Sequence, residues 1–149
     1  MGFIVVGIDG SETSRRAFRL AIQEAEWRAA RLLALHVVTN PILTGYEFGN
    51  LIDMVLEGGK ALADEEVAAL ETEYEGGFPV PVEHAVVMGH SGVEMIRAAE
   101  GDDQSGPAEL VVLGTRGLGG FQGLLLGSVT TYAAHHLTCP LLIVPPEVA

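Results

Sequence analysis

The sequence predicts an α/β fold, a parallel sheet covered by helices on both faces, and three observations carry that prediction. Five short apolar runs recur along the chain: FIVVGI, LLALHVV, VPVEHAVVMG, ELVVLG and PLLIV. Four stretches with helical spacing alternate with them, and a strand joined to the next by a helix favours parallel pairing through a crossover. Most of the runs are continuously apolar rather than alternating, as strands buried on both faces are.

Each element follows from local chemistry. FIVVGI (Phe3 to Ile8) is β-branched and ends at Asp9-Gly10-Ser11, a turn signal. Ser14 to Ala30 places Ala17, Leu20, Ala21, Ala25 and Trp27 among arginines and glutamates, the pattern of an amphipathic helix. LLALHVV (Leu32 to Val38) reads as a second strand, and Pro41 and Gly45 mark the following segment as a loop. Leu51 to Tyr74 is rich in Ala, Leu and Glu and reads as a helix, with Gly58-Gly59 a candidate interruption and an end at Gly76-Gly77.

Val80 to Gly89 is the third predicted strand. Ser91-Gly92-Val93-Glu94 has capping-box spacing and opens a short helix reaching Glu100. Gly101 to Glu109 is a polar loop, Glu109 to Gly114 the fourth strand, Ser128 to His136 a helix, and Pro140 to Val144 the fifth strand before Pro145-Pro146 stops it. No internal repeat or long linker is visible, so one domain over residues 1–149 is expected.

Composition narrows the function. The chain has 20 acidic and 8 basic residues, a net charge of −12, which argues against a nucleic-acid partner. No apolar run approaches the twenty residues of a membrane span, so no membrane partner is expected. The start of the chain lacks an export signal, and a lone Cys139 fits a reducing compartment; the expected location is cytoplasmic. Any anion must be bound by backbone amides and helix ends rather than by net charge.

The stretch GTRGLGGFQGLLLGSVT supplies such a device. Gly114, Gly117, Gly127 and Ser128 fit the spacing G-x2-G-x9-G-[ST], between a strand and a helix. Glycine lets the backbone approach an anion and adopt positive φ, so that successive N–H groups converge. Ser128 adds a hydroxyl, the following helix adds orphan N–H groups and the positive end of its dipole, and Arg116 is the nearest basic side chain in sequence. Two readings stand for Asp9, an acceptor for ribose hydroxyls or a turn aspartate. Main-chain groups near Val37 offer an adenine edge a donor and an acceptor, as any strand end does.

Other constellations carry less. There is no G-x-x-x-x-G-K-[ST] and no G-x-G-x-x-G after the first or fourth strand, which argues against a Walker-type hydrolase. Gly89-His90-Ser91-Gly92 lacks the G-x-S-x-G of a nucleophile elbow. His135 and His136 point about 100° apart on a helix, so with Cys139 they make a poor metal site.

Nearly the whole chain resembles the universal stress protein family: IVVGIDGS, LLALHVV, ELVVLGTRGLGG, LLLGSVT and CPLLIVP carry the resemblance. It implies a Rossmann-like five-stranded parallel sheet of order 3-2-1-4-5 and a homodimer through the last strand, Leu141, Leu142, Ile143 and Val144. ATP-binding members carry the glycine spacing kept here. By resemblance, Asp9 and main-chain Val37 contact the adenosine, Leu113 and Gly114 line ribose and phosphate, and Gly117, Gly127, Ser128 and Val129 hold the phosphates, with Mg2+ sharing their charge. The implied role is a nucleotide-dependent sensor or regulatory module in the stress response with little or no hydrolysis. An ATP-hydrolysing or nucleotidyl-transfer enzyme and a dimeric interaction module with an empty site are the alternatives.

Overall fold

The computed structural model of the chain describes residues 1–39, 48–115 and 126–147. Nine elements follow in order: β1 (Phe3–Gly7), α1 (Glu12–Arg28), β2 (Arg31–Val38), α2 (Phe48–Glu71), β3 (Val82–Met88), α3 (Ser91–Glu100), β4 (Leu110–Gly114), α4 (Ser128–His136) and β5 (Leu141–Val144). The five strands pair in parallel in the order β3-β2-β1-β4-β5, so the order implied by the family resemblance is the one observed.

The topology fixes which face each helix covers. The chain steps from β1 to β2 to β3, returns to the far side of β1 as β4, and continues to β5. Right-handed crossovers then put α1 and α2 on one face and α3 and α4 on the other. The core divides accordingly, because strand side chains alternate. Ile4, Val6, Leu32 and Val112 pack with Phe18, Ile22, Ala63 and Leu70; Phe3, Val5, Leu35 and Val111 pack with Met95, Ala99 and Ala133. Between β1 and β4 the direction of winding reverses, which in open sheets opens a crevice beyond the strand carboxyl ends.

Several local expectations are corrected. The buried face of α1 is Ser14, Ala17, Phe18, Ala21, Ile22 and Ala25, an unbroken three-four spacing. Trp27 falls off that stripe and is 69% exposed. The helix starts at Glu12 under the cap Ser11, and it ends in Ala29 at φ 52, so Ala30 belongs to the approach to β2.

In α2 the Gly58-Gly59 pair causes no interruption. A Cβ on Gly59 would stand 2.6 Å from Val38 Cγ1 and 3.0 Å from Val86 Cγ1, so the glycine lets the helix lie close on β2 and β3. Arg15 Nη2 to Glu66 Oε1 (2.7 Å) and Arg19 Nε to Glu73 Oε2 (2.8 Å) tie α1 to α2 and the turn after it.

The capping box at Ser91 is also corrected. The cap of α3 is His90, whose Nδ1 accepts the Val93 N–H at 3.2 Å, while Glu94 pairs with Arg97. A histidine nitrogen with a lone pair serves as the acceptor that the serine was expected to provide.

Among the described residues, no helix is long and apolar enough to cross a membrane.

Candidate functional site

Three strand ends meet at the winding reversal. The first is held by its own side chains. Asp9 N–H donates to Ser14 Oγ (3.2 Å), Ser11 N–H to Asp9 Oδ1 (2.9 Å), and Ser14 N–H to Ser11 Oγ (3.1 Å). Ser14 Oγ returns a hydrogen bond to Ser11 O at 3.2 Å, and the residue is buried. Gly10, at φ 84, makes the turn possible. The turn role of Asp9 is therefore met through Oδ1, the Asx arrangement of a carboxylate bonding its own backbone two residues on.

The second end is that of β2. Val37 is its penultimate residue, paired with Val87 of β3, and its side chain packs on the α3–α4 face. The neighbouring His36 sets Nδ1 2.8 Å from Ile8 O. A carbonyl can only accept, so Nδ1 carries the hydrogen. Sequence reasoning passed over His36 and Ser14, because the bonds they make involve backbone that no residue pattern reveals.

The third end is that of β4. Leu113 is buried and Gly114 closes the strand. A Cβ on Gly114 would meet Thr13 Cγ2 at 2.7 Å, so this glycine lets the strand end abut the first turn of α1. Thr130 Oγ1 donates to Gly114 O (2.7 Å) and Gly127 N–H donates to Thr115 O. The start of α4 is thereby fastened to the end of β4. Among the described residues Thr115 Oγ1 is buried with no hydrogen-bond partner, a costly state for a hydroxyl.

Of the phosphate-loop residues, Gly127 is the N-cap of α4, Ser128 its exposed first residue and Val129 the next. Gly117 and Arg116 lie outside the described residues. The expected positive φ is not found at Gly127, whose φ is −73 with ψ 167, nor at Gly114. At Gly127 any residue fits the backbone, and only the lack of a side chain distinguishes glycine there. Among the described residues no side chain caps α4, and its first turn holds no acidic residue to offset the positive end of its dipole. The first turn of α1, by contrast, holds Glu12 under a serine cap.

At the other end of α4, the His136 ring lies 4.2 Å from Tyr132, which lies 5.2 Å from His90. Cys139 packs against the α3–α4 core, and burial raises its thiol pKa. Among the described residues, no group of three or more His, Cys, Asp or Glu is disposed to hold a metal ion.

Comparison with known proteins agrees with this arrangement. The family described as "Universal stress protein family" matches residues 2–145. The chain belongs to the universal stress protein family. A universal stress protein of Mycolicibacterium smegmatis is 34% identical over 97% of this chain and 46% of its own length; the chain thus spans about half of that relative. Universal stress protein YxiE of Bacillus subtilis is 32% identical over 95% of this chain and 97% of its own.

Among solved structures, UspA from Lactobacillus plantarum superposes with a TM-score of 0.82 at 21% identity, covering 96% of this chain and 97% of that one, which speaks for the fold alone. A universal stress protein in complex with cAMP has a TM-score of 0.69 at 26% identity and 98% coverage of both chains. One from Archaeoglobus fulgidus in complex with dAMP has a TM-score of 0.64 at 19% identity, covering 97% of this chain and 98% of that one.

Proposed function

We propose that this universal stress protein binds an adenine nucleotide, ATP with Mg2+, in the crevice between the ends of β1 and β4, and acts as a nucleotide-dependent sensor or regulatory module of the stress response. The observation that carries the reading is the start of α4: a helix N-terminus with a glycine cap, no side-chain acceptor among the described residues and no acidic residue in its first turn, fastened to the end of β4. Such an end favours phosphate through its N–H groups and its dipole. In a chain of net charge −12 it is the local device that an anion needs.

The residues assigned are Asp9 and main-chain Val37 for the adenosine, Leu113 and Gly114 for ribose and phosphate, and Gly117, Gly127, Ser128 and Val129 for the phosphates. The cAMP complex of a relative 26% identical supports an adenine nucleotide as the ligand class. The triphosphate is supported by the long glycine spacing up to Ser128. Mg2+ would be held mainly through the phosphates, which suits a site without a carboxylate cluster among its described residues. The residue pattern supplies no general base, so any hydrolysis is slow or incidental.

A homodimer fits the edge position of β5, whose Leu141, Leu142 and Ile143 remain half-buried, since an apolar edge strand invites pairing with another chain. Calorimetric titration with Mg-ATP, alongside mass spectrometry of ligand released by heat, tests the nucleotide reading. Binding at micromolar or carried-over adenine nucleotide is expected; no ligand and no heat up to millimolar Mg-ATP overturns it.

A further inference from the structure

His36 lies at the point where the β1–β2 ladder stops. In a parallel pair the peptide groups of alternate residues point to opposite neighbours. Ile8 N–H donates to Leu35 O at 2.9 Å, and Gly89 N–H donates to Val38 O at 3.0 Å. Leu35 and Val37 therefore turn their peptide groups towards β1, and His36 and Val38 turn theirs towards β3. The next rung of the β1–β2 ladder would run from Val37 N–H to Ile8 O.

Among the described residues that rung is not formed. The register ends at Gly7↔Leu35, and Ile8 stands outside the strand. Ile8 O instead accepts from the His36 ring, Nδ1 at 2.8 Å. The side chain thus satisfies the carbonyl that the Val37 amide would otherwise take. At Asp9 the chain turns away into α1, held there by Ser14. The Val37 N–H and C=O are left directed past the end of β1 as an adjacent donor and acceptor.

We propose that His36 is a specificity-determining positioning residue: by taking Ile8 O it releases the main chain of Val37 to read a 6-aminopurine. This rests on the adenine-nucleotide reading above and adds to it the residue that enforces the base. Adenine presents an acceptor at N1 and a donor at its 6-amino group, which match a backbone N–H and C=O. Hypoxanthine presents a donor at N1 and an acceptor at O6 and is mismatched at both. A site whose polar groups are left unpaired by the wrong base discriminates strongly.

Two measurements test this. Amide hydrogen exchange on the ligand-free chain should find Val37 on the order of a hundredfold less protected than Leu35 and Val38. Exchange at Val37 should slow in His36→Leu, where Ile8 O becomes available to it. Titration should give wild type a preference for Mg-ATP over Mg-ITP. His36→Leu should weaken Mg-ATP by about tenfold, one hydrogen bond's worth, and leave Mg-ITP unchanged. His36→Asn, which keeps a donor near the Nδ1 position, should restore the preference.

If His36→Leu does not fold, His36→Gln, whose donor sits one bond further out, takes its place. A Val37 amide already protected in wild type overturns the proposal, as does a variant that weakens both nucleotides equally or neither. A wild-type chain that binds no nucleotide while Val37 exchanges as expected refutes the nucleotide reading and the base-reading role together, and leaves only the hydrogen-bond exchange.

Discussion

The turns after β1 and before α4 both lead the chain into the start of a helix, and they treat the backbone in opposite ways. At Ser11 a side chain caps α1, Ser14 closes the loop from below, and Asp9 bonds back to Ser11. At Gly127, among the described residues, no side chain caps α4, although Gly127 N–H and Thr130 fasten it to the end of β4. The first junction uses its donors internally; at the second, among the described residues, the first turn of the helix meets no side-chain cap. A serine or aspartate in place of the Gly127 cap would stabilise the helix by only about a few tenths of a kcal/mol, so the glycine costs little as a cap and leaves the approach to the first turn without a side chain.

The comparison is broken most directly at Gly127. With φ −73 and ψ 167, Gly127→Val keeps a backbone conformation that valine prefers, so the variant is expected to fold. Its branched side chain would occupy the approach to the first turn of α4. We expect Mg-ATP affinity to fall by more than about a hundredfold, because phosphate contacts at a helix start require close approach of the ligand, and stability to fall by only about 1 kcal/mol, valine being a poorer cap than glycine. Calorimetry checks this, and an unaltered affinity would mean that α4 does not face the phosphates.

A paired test sharpens the contrast. Ser14→Ala removes a buried hydroxyl that both accepts from Asp9 N–H and donates to Ser11 O, and should cost about 1–3 kcal/mol in urea unfolding. Ser128→Ala changes an exposed residue, and should cost less than about 0.5 kcal/mol while weakening Mg-ATP roughly tenfold. Equal stability losses for the two variants would dissolve the distinction between a closed junction and an open one.

Much of this was legible in the residues. Hydrophobic runs and their spacing gave five strands and four helices, because burying a two-layered core imposes period and length on the sequence. Strand order came only with the family resemblance, since pairing depends on contacts between residues far apart in the chain. The capping box at Ser91 misled because the neighbouring His90 could cap one residue earlier, accepting the Val93 N–H. Trp27 counted among the apolar positions of the helical pattern, whereas the stripe through Phe18 and Ile22 fixes the rotation of α1. In the site, Asp9, Gly114, Gly127 and Ser128 stood out by their positions after a strand or before a helix. Ser14, His36 and Thr115 did not, because their parts are defined by which backbone atom they meet.

The smallest effect expected lies on the α1–α2 face, away from both junctions, and separates stability from binding. Arg19 grips the Glu73 carboxylate through Nε and Nη2, both at 2.8 Å, and that hydrogen-bonded partner lowers the Glu73 pKa below its ordinary value. A depressed carboxylate stabilises the fold at pH values above its unfolded pKa, and the contribution disappears as pH falls through the folded value. The pair is exposed, so screening and side-chain entropy keep it weak. Glu73→Gln should lower the melting temperature at neutral pH by about 2 °C at most. The difference should vanish in acid as wild type protonates, and Mg-ATP affinity should stay the same. A gap that persists undiminished at low pH would show that Glu73 acts through packing rather than charge, and a change in affinity would show that the position of α2 is felt at the strand ends.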